Sequence, residues 1–156
     1  MLLLRKLEPY FSNVKKRLVK SPRYYIRDSG LLHRLLNISS YDVLLAHPVI
    51  GKSWEGFVIE NIASVKPRLC EMFYYRTGAG AEIDLVLVLP NGQKWAVEIK
   101  FSLSPKVTKG FHQAANDIKA DQKFIVYGGQ EEYPYPHDVR VISLEKFLQR
   151  LSTVQL

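Results

Sequence analysis

Asp84, Glu98 and Lys100 are the residues whose types and spacing can do chemistry. Asp84 lies in the run GAEIDLVLVL (80–89) and Glu98 and Lys100 in KWAVEIKF (94–101), with Pro90-Asn91-Gly92 between them. Both runs are otherwise largely apolar, and an ionised group buried there is costly unless it is paired, hydrogen-bonded or bound to a metal. Hydrolysis of a phosphodiester needs an activated water, charge neutralisation on the phosphate and help for the leaving oxygen. Magnesium takes oxygen ligands, usually one or two carboxylates completed by waters and phosphate oxygens. Asp84 and Glu98 can supply the carboxylates and the Ile99 carbonyl a further ligand. Lys100 can orient or deprotonate a water, or stabilise the negative charge that builds up. Glu55, from a segment upstream, can join them directly or through a water.

For these groups to meet, residues 82–89 and 94–101 must pair as a hairpin in one particular register. A two-residue turn at Asn91-Gly92 sets Asp84 opposite Ile99 and scatters the charges over two faces. A three-residue loop, with Gly92 in the left-handed region, sets Asp84 opposite Glu98 and Glu82 opposite Lys100. The second register is the expected one. Upstream, Trp54, Phe57, Val58, Asn61, Ile62 and Val65 recur at helical spacing and predict a helix over 49–65 with that stripe buried, Glu55 at its edge and Glu60 further away. Further strands are expected near 2–7, 23–27, 71–77, 123–127 and 139–142. Helices are expected over 28–37 (capped by Asp28, ended by Asn37), 105–120 and 144–151 (capped by Ser143). His47-Pro48 reads as a turn, and Pro134 and Pro136 mark 130–138 as an exposed loop. From Val49 the order is α-β-β-β-α-β, then β-α, an α/β fold.

The length, 156 residues, suits one domain with a real core. A formal net charge of +7 favours polyanionic partners, nucleic acid first and an acidic membrane surface second, although surface lysines also serve solubility. The basic residues crowd the N-terminal segment, 1–45, where Lys15, Lys16, Arg17, Lys20 and Arg23 are followed by Tyr24 and Tyr25. A single cysteine, Cys70, excludes an internal disulfide and fits a reducing cytosol. No apolar run approaches the roughly 20 residues that span a bilayer, and Met1–Leu4 is too short for a signal peptide. His33, His47, His112 and His137 lack metal-ligand spacing, so zinc is not expected. Gly51-Lys52-Ser53 has Ala46 where a phosphate-binding loop needs its first glycine, so neither nucleotide binding nor ATPase activity is expected.

The order Glu55, Asp84, Glu98-Ile99-Lys100 on such a core resembles the PD-(D/E)xK superfamily of restriction-endonuclease-like nucleases. More closely, the chain resembles the C-terminal domain of unknown function that follows an AAA-type ATPase module in many prokaryotic proteins. That resemblance runs nearly end to end and is carried by 16–23, 28–32, His47-Pro48, 54–58, 75–78 with 81–84, and 97–100. It implies a restriction-endonuclease-like αβββαβ core over 46–156, with a mixed central sheet flanked by helices. It also implies a catalytic set of Glu55, Asp84, Glu98 and Lys100, joined by Gln113 where many relatives carry a glutamine, and Mg²⁺ or Mn²⁺ as cofactor. Residues 1–45 then read as the tail of an ATPase or linker region packed on the core. The whole chain reads as a fragment or separate product of a cytoplasmic protein acting on DNA, with no membrane partner and a homodimer as one route to both strands.

Around this set, Arg76, Lys106 and Lys109 are candidate phosphate contacts, and Glu82 can pair with Lys100 or Arg76 just outside the metal ligands. Three readings follow: a metal-dependent nuclease, a catalytically silent module binding nucleic acid or protein, and a domain whose carboxylates only stabilise the sheet.

Overall fold

A computed structural model describes residues 2–12 and 15–154; Met1 of the N-terminal apolar run lies outside them. The elements are β1 (Leu4–Pro9), β2 (Arg23–Ile26), α1 (Ser29–Leu35), α2 (Tyr41–Ala46), α3 (Ile50–Val65), β3 (Glu71–Arg76), β4 (Glu82–Val88), β5 (Lys94–Lys100), α4 (Lys109–Asp117), β6 (Gln122–Tyr127), β7 (Glu132–Tyr135), β8 (Val139–Ser143) and α5 (Leu144–Ser152). They build a mixed α/β fold on one eight-stranded sheet, ordered β2-β1-β3-β4-β5-β6-β8-β7. The β3-β4-β5 meander is antiparallel, and β5, β6 and β8 run parallel. Central strands buried on both faces need apolar side chains on both, and β4 and β5 supply them. One face packs Leu85, Leu87, Trp95, Val97 and Phe124 against Val58, Ile59 and Ile62 of α3 and Phe147 and Leu151 of α5. The other packs Val86, Ala96 and Ile125 against Phe111, Ala114 and Ala115 of α4. Ile59 and Ile62 are fully buried, so truncating either to alanine costs about 2–5 kcal/mol.

The hairpin adopts the three-residue loop. Leu85 pairs with Val97 and Val88 with Lys94, the Leu89 N–H donates to the Gln93 carbonyl, and Gly92 has φ +85°, a conformation that glycine adopts without steric cost. Pairing stops at Leu85, however. Across the other edge of β4, Phe73 pairs with Val86 and Tyr75 with Ile83, so β4 carries one extra residue opposite Tyr74. This β-bulge puts Ile83 and Val86 in the same core cluster and Leu85 in the other. Bulges re-aim side chains and end pairing beside functional sites, and this one falls on Asp84-Leu85.

Four expectations need correction. The buried stripe of α3 is Glu55, Val58, Ile59 and Ile62, while Phe57 is 43 % exposed. The helix carries apolar residues on two overlapping stripes, and the sheet takes the one headed by Glu55. The supposed loop over 130–138 contains strand β7, paired with β8. β7 is the outermost strand, where Pro134 leaves no ladder hydrogen bond missing on the open side. Helix α2 went unpredicted because its six residues are too few to show a period; the Ser40 hydroxyl caps it by accepting from the Val43 N–H. The helix expected over 105–120 is trimmed to Lys109–Asp117, because Thr108 caps its start and Lys119 turns left-handed (φ 54°) after its end. No helix among the described residues is long and apolar enough to cross a membrane.

Candidate active site

Where β4 and β5 diverge, the fold opens a cavity of about 580 Å³ lined by Lys52, Glu55, Glu82, Asp84, Glu98, Ile99 and Lys100, with Thr108 and Gly110 on its rim. Continued in its register, the hairpin would bring the Ile99 N–H to the Ile83 carbonyl. That N–H instead donates to Asp84 Oδ2 at 2.9 Å, so the carboxylate caps the open end of the ladder. Gly110 holds the start of α4 against this rim, since a Cβ there would come within 2.6 Å of the Gly80 carbonyl oxygen.

Glu55 and Glu98 are each only 6 % exposed. Lys100 Nζ pairs with Glu98 Oε1 at 2.7 Å, and Glu98 Oε2 is buried with no hydrogen-bond partner. Glu55 accepts from the Tyr25 hydroxyl at 2.5 Å and from Lys52 Nζ at 2.8 Å. Burial, the Glu55 charge and, more weakly, that of Glu98 push the Asp84 carboxyl up to about 7, against the opposing Ile99 N–H and Lys100. Burial also raises Glu98, offset in part by Lys100. Burial would lower the Lys100 pKa, yet Glu98, Asp84 and Glu55 together drive it up, so Lys100 is an ammonium ion here.

Of the residues singled out by sequence, Glu55, Asp84, Glu98, Ile99, Lys100 and Glu82 line one cavity. Glu82 pairs with Arg23, with Arg76 Nε 3.9 Å away. Lys106 and Lys109 are exposed on the segment that supplies Thr108 and Gly110. Gln113 is not brought to the carboxylates: its amide donates to Asp117 at 3.0 Å, and it lines a different cavity with His112 and His137. His47 is a turn residue, its Nδ1 accepting from the Val49 N–H. Burial pushes the Cys70 thiol up to about 11, which leaves it unreactive. Among the described residues no group of three or more His, Cys, Asp and Glu side chains stands ready to cage a metal.

Three residues of the site escaped sequence reasoning: Arg23, Tyr25 and Lys52. The segment before β2 runs beside the end of β3, with Val19 N–H donating to the Arg76 carbonyl and Gly78 N–H to the Arg17 carbonyl. It delivers Arg23 over the Tyr74 ring, 4.3 Å from its centroid, to the carboxylates of Glu55, Glu82 and Asp84. The period of two in a strand places Arg23 and Tyr25 on one face. That signal was present but was masked by the general basicity of the segment.

Comparison with known proteins places this geometry in a family without assigning it a chemistry. Residues 1–42 match a family model described as Domain of unknown function (DUF8612). Uncharacterized proteins of Mycobacterium bovis and Mycobacterium tuberculosis are each 37 % identical over 156 residues, which is 99 % of this chain and 35 % of the relative. The chain thus spans about a third of the length of these curated relatives. No solved structure matches it. Residues 50–147, well over half of the chain, match the model described as Domain of unknown function (DUF4143), and the chain belongs to that family.

Proposed function

We propose that the cavity is a divalent-metal-dependent centre for hydrolysing DNA phosphodiester bonds, set in a restriction-endonuclease-like core. One observation carries the reading: three carboxylates, of which Glu55 and Glu98 are buried, line one cavity in which Glu98 Oε2 has no partner. Such crowding costs stability, and a hard cation relieves it. The donor set fits magnesium or manganese, being all oxygen: Asp84, Glu98 and the Ile99 carbonyl, with Glu55 beside them. Because magnesium keeps several waters and needs only one or two carboxylates, the lack of a three-ligand cage does not count against the fit. The bound ion would supply Lewis-acid charge neutralisation and a more acidic water.

The chain's own groups divide the remaining work. Lys100, held as a cation by Glu98, stabilises negative charge gathering on the phosphate and orients the attacking water. Asp84, fixed through one oxygen by the Ile99 N–H, would give its ionised carboxylate to the cation. Tyr25 and Lys52 fix the Glu55 carboxylate in orientation. Exposed Arg76, Lys106 and Lys109 contact the nucleic-acid backbone without reading its sequence. In longer relatives this domain would accompany an ATPase module that governs its access to DNA.

The test is incubation with linear, supercoiled and branched DNA in Mg²⁺ or Mn²⁺, beside Asp84→Ala. Cleavage by the wild type alone is expected; DNA left intact under every condition overturns the reading. A second reading, a silent binding module, is favoured by Arg23 neutralising the carboxylates in place. It predicts salt-sensitive DNA binding that survives Asp84→Ala.

A further inference from the structure

We propose that Arg23 is a resident counter-cation of the carboxylate cavity, which a divalent ion must displace, and that it sets the metal affinity of the site. The inference rests on the metal-site reading above. Arg23 is anchored at one end only: Nη2 donates to Glu82, and the guanidinium lies on the Tyr74 ring. Its other arm, Nη1, faces Glu55 Oε1 at 3.8 Å and Asp84 Oδ1 at 3.9 Å. Both distances exceed hydrogen-bond length, and Nη1 is buried without a hydrogen-bond partner. The attraction is thus one of charge without bonds, strong enough to neutralise the carboxylates and loose enough to yield.

Glu98 gives a second, independent sign that the cavity takes a cation. Its Oε2 is partnerless in a side chain 7 % exposed, and the Arg23 ion pairs go to Glu55, Glu82 and Asp84 rather than to it. Arg23 therefore faces Glu55 and Asp84, while Glu98 is met by Lys100 at one oxygen and leaves the other open. A divalent ion that Asp84 and Glu98 would hold would meet the guanidinium as a like charge. Arg23 has room to withdraw, because it also lines a neighbouring cavity of about 460 Å³ with Tyr24, Lys52 and Arg76.

The experiment is Mn²⁺ binding followed by electron paramagnetic resonance of the free ion. It compares wild type, Arg23→Gln, Arg23→Met, Arg23→Lys and Asp84→Asn, each first shown folded by circular dichroism. Arg23→Gln and Arg23→Met are expected to bind Mn²⁺ about tenfold more tightly than wild type, because a charge some 4 Å from the ligands is gone. Arg23→Lys should stay near wild type and Asp84→Asn should lose binding. Unchanged or weaker binding by the two neutral variants, with Asp84→Asn still defective, overturns the role of Arg23 and leaves the metal site standing. No binding by any folded variant overturns both. A measurement that needs no variant is the Arg23 Nε–H resonance in the wild type, which should move as Mg²⁺ is added; a resonance that stays fixed while Mg²⁺ binds refutes the displacement.

Discussion

Helix α3 carries two buried or half-buried glutamates, and the N-terminal segment answers each with arginine in a different way. Glu60 receives Arg5 Nε and Nη2, both at 2.9 Å, and Arg27 Nε at 2.8 Å. Burial would raise its carboxyl, but Arg5 and Arg27 more than reverse this, and the net direction is down. Earlier in the helix, Glu55 joins Asp84 and Glu98 in sharing Lys100, Lys52 and Arg23, two buried polar atoms go unpaired, and Asp84 is pushed up to about 7. The Glu60 cluster has what a structural ion pair needs, with cations in excess and every carboxylate oxygen bonded. The Glu55 cluster matches three carboxylates with three cations but leaves its bonding incomplete, at Arg23 Nη1 and Glu98 Oε2, which no purely structural role requires. An arrangement that costs stability in one place, while its neighbour shows the chain can satisfy a glutamate fully, points to use.

The largest expected effect is on activity. Asp84→Asn keeps the shape and the acceptor for the Ile99 N–H but removes the charge, and metal-dependent cleavage should fall at least about a hundredfold, the scale for losing one charge-stabilising group. Glu60→Gln should leave cleavage within about twofold. Equal losses in the two variants would dissolve the contrast.

Stability should move in opposite senses. Asp84 titrates higher in the folded chain than its usual 3.8, so its contribution is present below pH 4 and is lost as pH rises towards 7. In the absence of divalent ions, Asp84→Asn should therefore stabilise the protein at pH 8 and flatten the pH profile between 4 and 7. Glu60 is depressed below its usual 4.5, so its contribution is present at neutrality and lost as the solution is acidified through its folded pKa. Glu60→Gln should destabilise by about 1–2 kcal/mol at pH 7, the range for charge-assisted bonds discounted for partial exposure. Urea titrations of both variants at pH 4, 6 and 8 check the two signs.

The sequence made the hairpin legible because Pro90-Asn91-Gly92 admits few turns and only one of them gathers the charges. It also marked α3, the caps Asp28 and Ser143, and the apolar strands, whose local patterns agree with the tertiary structure. The β4 bulge was not legible, since an extra residue opposite Tyr74 leaves no trace in an unbroken apolar run. Without it, Asp84 was expected simply to face Glu98 across the ladder, whereas it caps the ladder through Ile99. Arg23 was missed for a related reason. Its partners lie 32, 59 and 61 residues away in sequence, and no local pattern encodes a contact made where β1 hands over from β2 to β3.

Gln113 gives the smallest and most discriminating effect. Resemblance places a glutamine near the chemistry, while the side-chain geometry ties it to Asp117, which Lys16 also holds at 2.7 Å. Asp117 further accepts from the Tyr75 hydroxyl at 3.0 Å, so Gln113 belongs to a surface network that fastens the N-terminal segment and β3 to α4. Removing one of three donors to an already depressed carboxylate costs little, because Lys16 and Tyr75 remain. Gln113→Ala should thus change cleavage less than twofold and stability by about 0.5 kcal/mol or less. A tenfold loss of kcat at unchanged melting temperature would show that α4 turns during catalysis to bring this amide to the carboxylates. The catalytic set would then extend beyond the Glu55 cluster to a helix on the other face of the sheet.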